Sequence, residues 1–171
     1  QGRVALMFQE AALLPWRTAA QNVELALKLR GVPRAERRER ALELLDLVRL
    51  REFADKRPHE LSGGMRQRVA LARSLGQGAD VLLMDEPFGA LDAITRDVLH
   101  DEIERVASEQ RLTVVFVTHN VREAARLGDR IVLLTSRPGR VAGEFGVPVE
   151  RPRRIESAEV STIAAEVTTR L

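Results

Sequence analysis

Four short runs of uncharged apolar residues, separated by segments with helical spacing, constrain the fold of this chain most. The runs cover residues 4–8, 81–84, 114–117 and 131–134. Runs of this length, bounded by polar turns, are typical of strands buried on both faces of a parallel sheet. Because helical segments lie between them, the chain is predicted to be an α/β protein with a mostly parallel sheet.

Helical spacing fills the intervals between these runs. Helices are predicted over about residues 18–30, 35–48, 93–109 and 121–127, and another from about residue 155. The segment Arg137-Pro138-Gly139-Arg140 is a turn signal. A hairpin is therefore predicted between two late strands.

Composition argues against several classes of protein. No apolar stretch approaches the roughly 18 residues that cross a bilayer, and the chain has no cysteine for a disulfide framework or a thiolate metal site. The pI near 9.9 reflects a formal net charge of only +2. The basic run at 34–40 is interleaved with glutamates, which favours a solvated helix face over a nucleic-acid surface.

Two adjacent carboxylates follow the second apolar run. Asp85 and Glu86 stand at its carboxyl end, the edge at which open α/β sheets bind ligands. A carboxylate there can hold Mg²⁺ through water, and the next can activate a water for attack on phosphorus. We assign the metal to Asp85 and the water to Glu86. The alternative is an acidic pair that only begins the turn before Pro87.

A serine followed by two glycines opens a helical segment. In the sequence Ser62-Gly63-Gly64-Met65, Ser62 can cap the helix and the glycines allow a phosphate to approach closely. The free amides and the helix dipole then favour an anion. The alternative is an ordinary capped helix start.

Two further polar residues end apolar runs. His119 follows the run at 114–117, and Gln9 follows the run at 4–8. An imidazole at this edge can hydrogen-bond a terminal phosphate or the attacking water, and the amide oxygen of Gln9 can reach a metal or a water. The alternatives are a structural histidine and a surface glutamine.

Together these residues resemble the ATP-binding cassette family. In the family's order the chain shows a Q-loop at Gln9, a signature motif at 61–65, a Walker B motif at 81–86, a D-loop at 89–92 and a switch histidine at His119. The resemblance extends to about residue 145. It implies a P-loop NTPase-type fold with an inserted helical subdomain.

The resemblance also implies ATP and Mg²⁺ as ligands and a set of catalytic roles. Glu86, His119 and Gln9 are expected to be catalytic. Asp85 is expected to hold the metal through water, with Gln9 as a second metal contact.

Members of this family act as pairs, so some residues are expected to serve the partner's nucleotide. The resemblance implies that Ser62, Gly63, Gly64 and Met65 contact ATP bound to the other subunit. It also implies that Asp92, in the D-loop, links the two sites.

Two departures from the family pattern stand out. Met65 replaces the usual glutamine of the signature motif and leaves the glycine pair intact. No Gly-x-x-x-x-Gly-Lys-[Ser/Thr] sequence occurs, because the only lysines are Lys28 and Lys56. In this family that phosphate-binding loop (Walker A) precedes the Q-loop. We therefore expect a chain that lacks its N-terminal segment and shows no measurable ATP hydrolysis by itself.

The resemblance suggests a division of the chain. Residues 1–171 are expected to form a partial cassette ATPase domain. Within it, about 11–75 would be the helical signature subdomain, about 76–145 the RecA-like α/β core and about 146–171 a C-terminal extension.

The segments 10–17, 84–92 and 136–140 look like the nitrate, sulfonate and taurine importer branch. This implies a bacterial importer ATPase for a small anion or sulfonate-type solute, on the cytoplasmic face of the membrane. Its partners would be a second cassette, a transmembrane permease and, indirectly, a solute-binding protein, with no nucleic acid. The alternatives are a soluble cassette ATPase outside transport and a noncatalytic regulatory subunit.

Overall fold

The computed structural model describes residues 4–89 and 91–170 and divides into two compact units, Gln1–Val117 and Thr118–Leu171. Ala90, which belongs to the predicted D-loop at 89–92, lies outside the described residues. Each unit is described by itself. The described residues contain no helix long and apolar enough to cross a membrane.

The first unit contains a three-stranded parallel sheet in the order β1-β2-β3. Its strands are β1 (Val4–Met7), β2 (Val81–Asp85) and β3 (Thr113–Val117). Val4 pairs with Val81, and Asp85 pairs with Val117. The prediction of parallel strands is confirmed for these three runs, and the carboxyl ends of β2 and β3 meet at one edge.

Four helices accompany this sheet: α1 (Ala19–Leu29), α2 (Arg34–Leu47), α3 (Gly63–Leu75) and α4 (Ala93–Glu109). Two short 3₁₀ turns, Arg51–Phe53 and Pro58–Glu60, lie between α2 and α3. Thr18, Ser62 and Asp92 cap α1, α3 and α4 with their side-chain oxygens, and such caps satisfy amides that the first turn leaves free. The predicted helices at 18–30, 35–48 and 93–109 are confirmed.

Only one face of the sheet is buried. Ala5 and Met7 are at most 2% exposed, whereas Val4 and Leu6 on the opposite face are 58% and 46% exposed. Val115 and Val117 of β3 are also exposed. The prediction that these runs are buried on both faces is therefore wrong for β1 and β3. An apolar run indicates a strand, but its composition does not show whether a second layer covers it.

The second unit consists of α5 (Val121–Leu127), β4 (Arg130–Leu134), β5 (Val141–Gly146) and α6 (Ala158–Thr168). Strands β4 and β5 form an antiparallel hairpin, which confirms the hairpin predicted at 137–140. The run at 131–134 was predicted for the parallel sheet, and this is wrong: β4 pairs with β5 in a separate two-stranded sheet. Its alternating burial is that of a strand with one core face.

The core of the second unit lies between this hairpin and its helices. It is formed by apolar side chains of all four elements and of the segment after β5: Ala125, Ile131, Leu133, Phe145, Val147, Val160, Ala164 and Val167. Helix α6 thus packs on α5 and confirms the late helix predicted from about residue 155.

Candidate functional site

The carboxyl edge of the sheet presents the acidic pair. Asp85 is the last residue of β2, and its side chain is exposed beside the end of β3. Glu86 follows immediately, and its amide donates a hydrogen bond of 2.9 Å to the carbonyl oxygen of Val117. The parallel sheet thus places both carboxylates at the predicted edge.

Glu86 has an unusual backbone conformation, with φ at 43°. A residue with a β-carbon pays a steric cost in this left-handed region, of about 1–2 kcal/mol. Two hydrogen bonds fix the turn: the one to Val117, and one of 3.2 Å from the amide of Gly89 to the carbonyl oxygen of Glu86. Such strain persists only where surrounding contacts over-determine it, often at functional sites.

Gln9 and Glu86 border the same glycine. A β-carbon at Gly89 would lie 2.9 Å from Gln9 Nε2 and 3.6 Å from Glu86 Oε2. The structure therefore brings the predicted Q-loop residue and the predicted water-activating carboxylate to a common point. A larger side chain at position 89 would displace the Gln9 amide from this point.

The signature and D-loop positions lie at the starts of two packed helices. The hydroxyl of Ser62 accepts a hydrogen bond of 3.2 Å from the amide of Met65. Gly63 is half-buried and Gly64 is buried. A β-carbon at Gly64 would lie 2.2 Å from Cγ2 of Thr95 in α4. Helices α3 and α4 thus meet closely at the signature glycines.

Asp92 caps α4 through the amide of Thr95 at 3.0 Å. This backbone bond, with a second bond from the Thr95 hydroxyl, holds the pKa of Asp92 below its ordinary value. Asp92 is therefore an exposed carboxylate whose position is fixed by the same threonine that packs on Gly64.

His119 lies two residues beyond β3, at the start of the second unit, and its side chain is exposed. Together with Arg122 of α5 and Ser161 and Thr168 of α6, it lines an open groove of about 660 Å³. Its predicted approach to the nucleotide stays a prediction.

The described residues contain no cluster of three or more histidine and carboxylate side chains that could enclose a metal ion. Asp85 offers one exposed carboxylate. Mg²⁺ usually keeps several waters and takes one or two carboxylates together with phosphate oxygens. The site therefore fits a magnesium ion that is held mainly by water and nucleotide.

Three residues of this region were missed by the sequence reasoning: Gln67, Arg73 and Thr95. Gln67 Nε2 donates to the carbonyl oxygen of Gln9 in a short hydrogen bond, and Arg73 donates to two carbonyl oxygens of the segment that follows Gln9. A polar Gln67 on the apolar stripe of α3 was an available signal. Nothing in the sequence distinguished Arg73 or Thr95.

A model of the ABC transporter family matches residues 1–89. The taurine import ATP-binding protein of Rhizobium johnstonii is 47% identical over 160 residues, which are 94% of this chain and 61% of that protein. The nitrate import ATP-binding protein of Synechococcus elongatus is 50% identical over 158 residues, which are 90% of this chain and 24% of that protein.

Among solved structures, the dimeric post-hydrolysis state of an ATP-binding cassette bound to ADP and Pi is similar, with a TM-score of 0.71 and 37% identity over 87% of this chain. This likeness confirms the predicted α/β P-loop NTPase-type fold. The chain spans 65% of that cassette and about six tenths of the taurine import relative, at 61%.

Proposed function

This chain belongs to the ABC transporter family, and from that premise we propose that it is part of an ATPase subunit of a bacterial importer for a small anion or sulfonate-type solute. The observation that carries the proposal is the convergence of Gln9 and Glu86 on Gly89, at the sheet edge where Asp85 ends β2. Open α/β sheets bind ligands at this edge.

The proposed chemistry is hydrolysis of the terminal phosphate of ATP. Glu86 accepts a proton from water as the water oxygen attacks the γ-phosphorus, and the bond to the bridging oxygen of ADP breaks. Asp85 would hold Mg²⁺ through water, and the ion would neutralise charge on the phosphates. The amide of Gln9 would orient the attacking water and would contact the metal, and His119 is proposed to hydrogen-bond the terminal phosphate.

The site is proposed to be complete only in a pair of subunits. Ser62, Gly63, Gly64 and Met65 open α3, where free amides and the helix dipole favour an anion. They would contact ATP bound to the partner, and Asp92 would connect the two sites. The similarity to a cassette solved as a dimer with ADP and Pi supports this arrangement.

A division of the chain follows from the same proposal. About residues 11–75 would form the helical signature subdomain, about 76–145 the RecA-like core and about 146–171 the C-terminal extension. The subunit would bind a transmembrane permease at the cytoplasmic face of the membrane, and a solute-binding protein would deliver the solute to that permease. The names of the taurine and nitrate import relatives support this class of solute.

The test is an ATPase assay on a fusion protein, because the 171 residues contain no phosphate-binding-loop sequence. The phosphate-binding segment of the Rhizobium johnstonii relative is joined ahead of residue 1. We expect phosphate release that requires Mg²⁺ and is abolished by EDTA. Glu86→Gln should lower kcat at least on the order of 100-fold and trap a dimer in the presence of ATP.

Glu39→Gln is the matched control, because Glu39 is exposed on α2; it should hydrolyse ATP at the unsubstituted rate. Equal rates for Glu86→Gln and Glu39→Gln would refute the role of Glu86. A folded fusion that binds ATP without hydrolysing it would favour the noncatalytic alternative. Hydrolysis without any binding to permease-containing membranes would favour a soluble cassette ATPase outside transport.

A further inference from the structure

We propose that Gln67 and Arg73, both on α3, are positioning residues that fix Gln9 in the site by holding the backbone of residues 9–12. This stretch is called the Gln9 segment below. The inference rests on the proposed function, because it assigns Gln9 a task in hydrolysis. It adds two residues that act through Gln9 rather than on the nucleotide.

The contacts reach the Gln9 segment from far along the chain. Gln67 is 4% exposed, and its Nε2 donates to the carbonyl oxygen of Gln9. Arg73 Nη1 donates to Ala12 O at 2.7 Å, and Nη2 donates to Ala11 O at 2.9 Å. Three carbonyl oxygens of the segment are thus bound by one helix.

The two bonds from Arg73 fix a strained conformation. Ala12 has φ at 44°, a left-handed conformation that is sterically unfavourable for a residue with a β-carbon. The carbonyls of Ala11 and Ala12 belong to the two peptide planes on either side of the Ala12 α-carbon. A planar guanidinium that binds both oxygens sets the angle between those planes. Arg73 therefore holds the segment where a free chain would turn differently.

Helix α3 also carries the signature motif. Ser62 caps α3, and Gln67 and Arg73 follow it by five and eleven residues. About five residues correspond to roughly 7.5 Å of helix between Ser62 and Gln67. A helix moves as a rigid element over this distance. A displacement of the Ser62 end against a partner's nucleotide would therefore be passed to the backbone of Gln9.

The side-chain oxygen of Gln67 allows an effect on positioning to be distinguished from an effect on stability. Gln67 Oε1 is buried and has no hydrogen-bond partner in the described part of the chain. An unsatisfied buried acceptor destabilises the folded state. Gln67→Met keeps the side-chain volume and removes this cost, so we expect its free energy of unfolding to be no lower than that of the unsubstituted chain.

The activity test uses the fusion protein with Gln67→Met and Arg73→Met. Each substitution should lower kcat on the order of 10-fold, because small misplacements of a positioning group are costly, with little change in KM for ATP. Arg37→Met is the matched control: Arg37 Nε donates to Val32 O at 2.7 Å, within α2 and the turn before it. The Arg37→Met fusion should have the same kcat as the unsubstituted fusion.

A double-mutant cycle shows whether Gln67 acts through Gln9. If it does, Gln67→Met combined with Gln9→Ala should lower kcat no further than Gln9→Ala alone. Independent, multiplying losses would overturn the inference. An active fusion whose kcat is insensitive to Gln67→Met and Arg73→Met would also overturn it, while leaving the proposed function intact.

A measurement on the 171-residue chain decides the positional claim without any ATPase activity. Hydrogen exchange of peptides covering residues 9–14 should be faster in Arg73→Met than in Arg37→Met, at equal global stability. Unchanged exchange in Arg73→Met would overturn the inference even if the fusion were inactive. An inactive fusion with the expected exchange pattern would contradict the proposed function alone.

Discussion

The methyl group of Thr95 occupies the space that a side chain at Gly64 would need, since a β-carbon there would lie 2.2 Å from Thr95 Cγ2. Because Gly64 lies in the first turn of α3 and Thr95 in the first turn of α4, the two helices approach closely where the signature and D-loop positions meet. Glycine at position 64 is thus required by packing within one chain, in addition to any role toward a nucleotide.

Gly64→Ala is therefore expected to destabilise the chain by about 1–3 kcal/mol, the usual range for overpacking, as measured by urea denaturation. Thr95→Ser in the same chain should restore most of that loss, because serine lacks the methyl group and keeps the hydroxyl that bonds Asp92. Gly63→Ala provides the comparison: its nearest new contact, Leu91 Cδ2 at 3.7 Å, is ordinary. Equal destabilisation by Gly63→Ala and Gly64→Ala would contradict the interpretation that Thr95 excludes a side chain at position 64.

The cap of α4 should make stability depend on pH. The amide of Thr95, followed by its hydroxyl, holds the pKa of Asp92 below the ordinary value of 3.8. A carboxyl whose pKa is depressed on folding stabilises the fold above the unfolded-state pKa, and this contribution is lost as the pH falls through the folded-state pKa. The stability difference between the unsubstituted chain and Asp92→Asn should therefore shrink below about pH 4.

Urea midpoints of the two proteins, measured from neutral pH down to about pH 3, test this expectation. Asparagine also caps helices, so the helix is retained in both proteins and only the charge differs. Parallel curves over the whole range would show that the Asp92 carboxylate contributes nothing specific.

A buried carboxylate joins α4 to the end of α2. Glu102 is 3% exposed; Arg105 donates to it, and Arg49 Nε lies 3.4 Å from its Oε2. Arg105 also donates to the carbonyl oxygen of Leu47 and to the exposed Glu109. Glu102→Gln should cost about 1–3 kcal/mol, since it replaces the buried charged acceptor of Arg105 and Arg49 by a neutral amide.

The control for Glu102 is Glu109→Gln, which removes the exposed partner of the same arginine and should cost at most about 0.5 kcal/mol. Urea denaturation at low and high salt separates the two effects, because salt screens the exposed pair more than the buried one. If the two substitutions were equally costly, the burial of Glu102 would have no energetic consequence.

Local signals predicted most of the secondary structure. Helix α4 begins after the capping residue Asp92 and extends to Glu109, as its apolar spacing indicated, and α5 occupies 121–127 after Asn120. These boundaries depend on bonds between residues two or three positions apart. The acidic pair at the end of β2 was predictable for the same reason, because a strand and its next residue are adjacent in sequence.

Pairing and packing over long distances were not predictable in the same way. The run containing Ile131 has the same apolar composition as the other strands, yet within the described residues it pairs with β5 alone. The bonds from Gln67 and Arg73 to the Gln9 segment join residues 58 to 62 positions apart, and no local pattern encodes them. The left-handed conformations of Ala12 and Glu86 likewise depend on contacts that only the folded chain provides.

The pair of hydrogen bonds from the Arg73 guanidinium has a consequence for comparing proteins of this kind. Lysine would carry the same charge, but its ammonium is a compact point donor and does not reproduce two parallel bonds in one plane. A sequence alignment that treats arginine and lysine as equivalent would thus count two cassettes as alike at position 73. The cassette with lysine, however, could not bind the carbonyl oxygens of Ala11 and Ala12 at the same time. Grouping relatives by whether they have arginine at this position would separate them by how they hold this backbone segment rather than by ancestry.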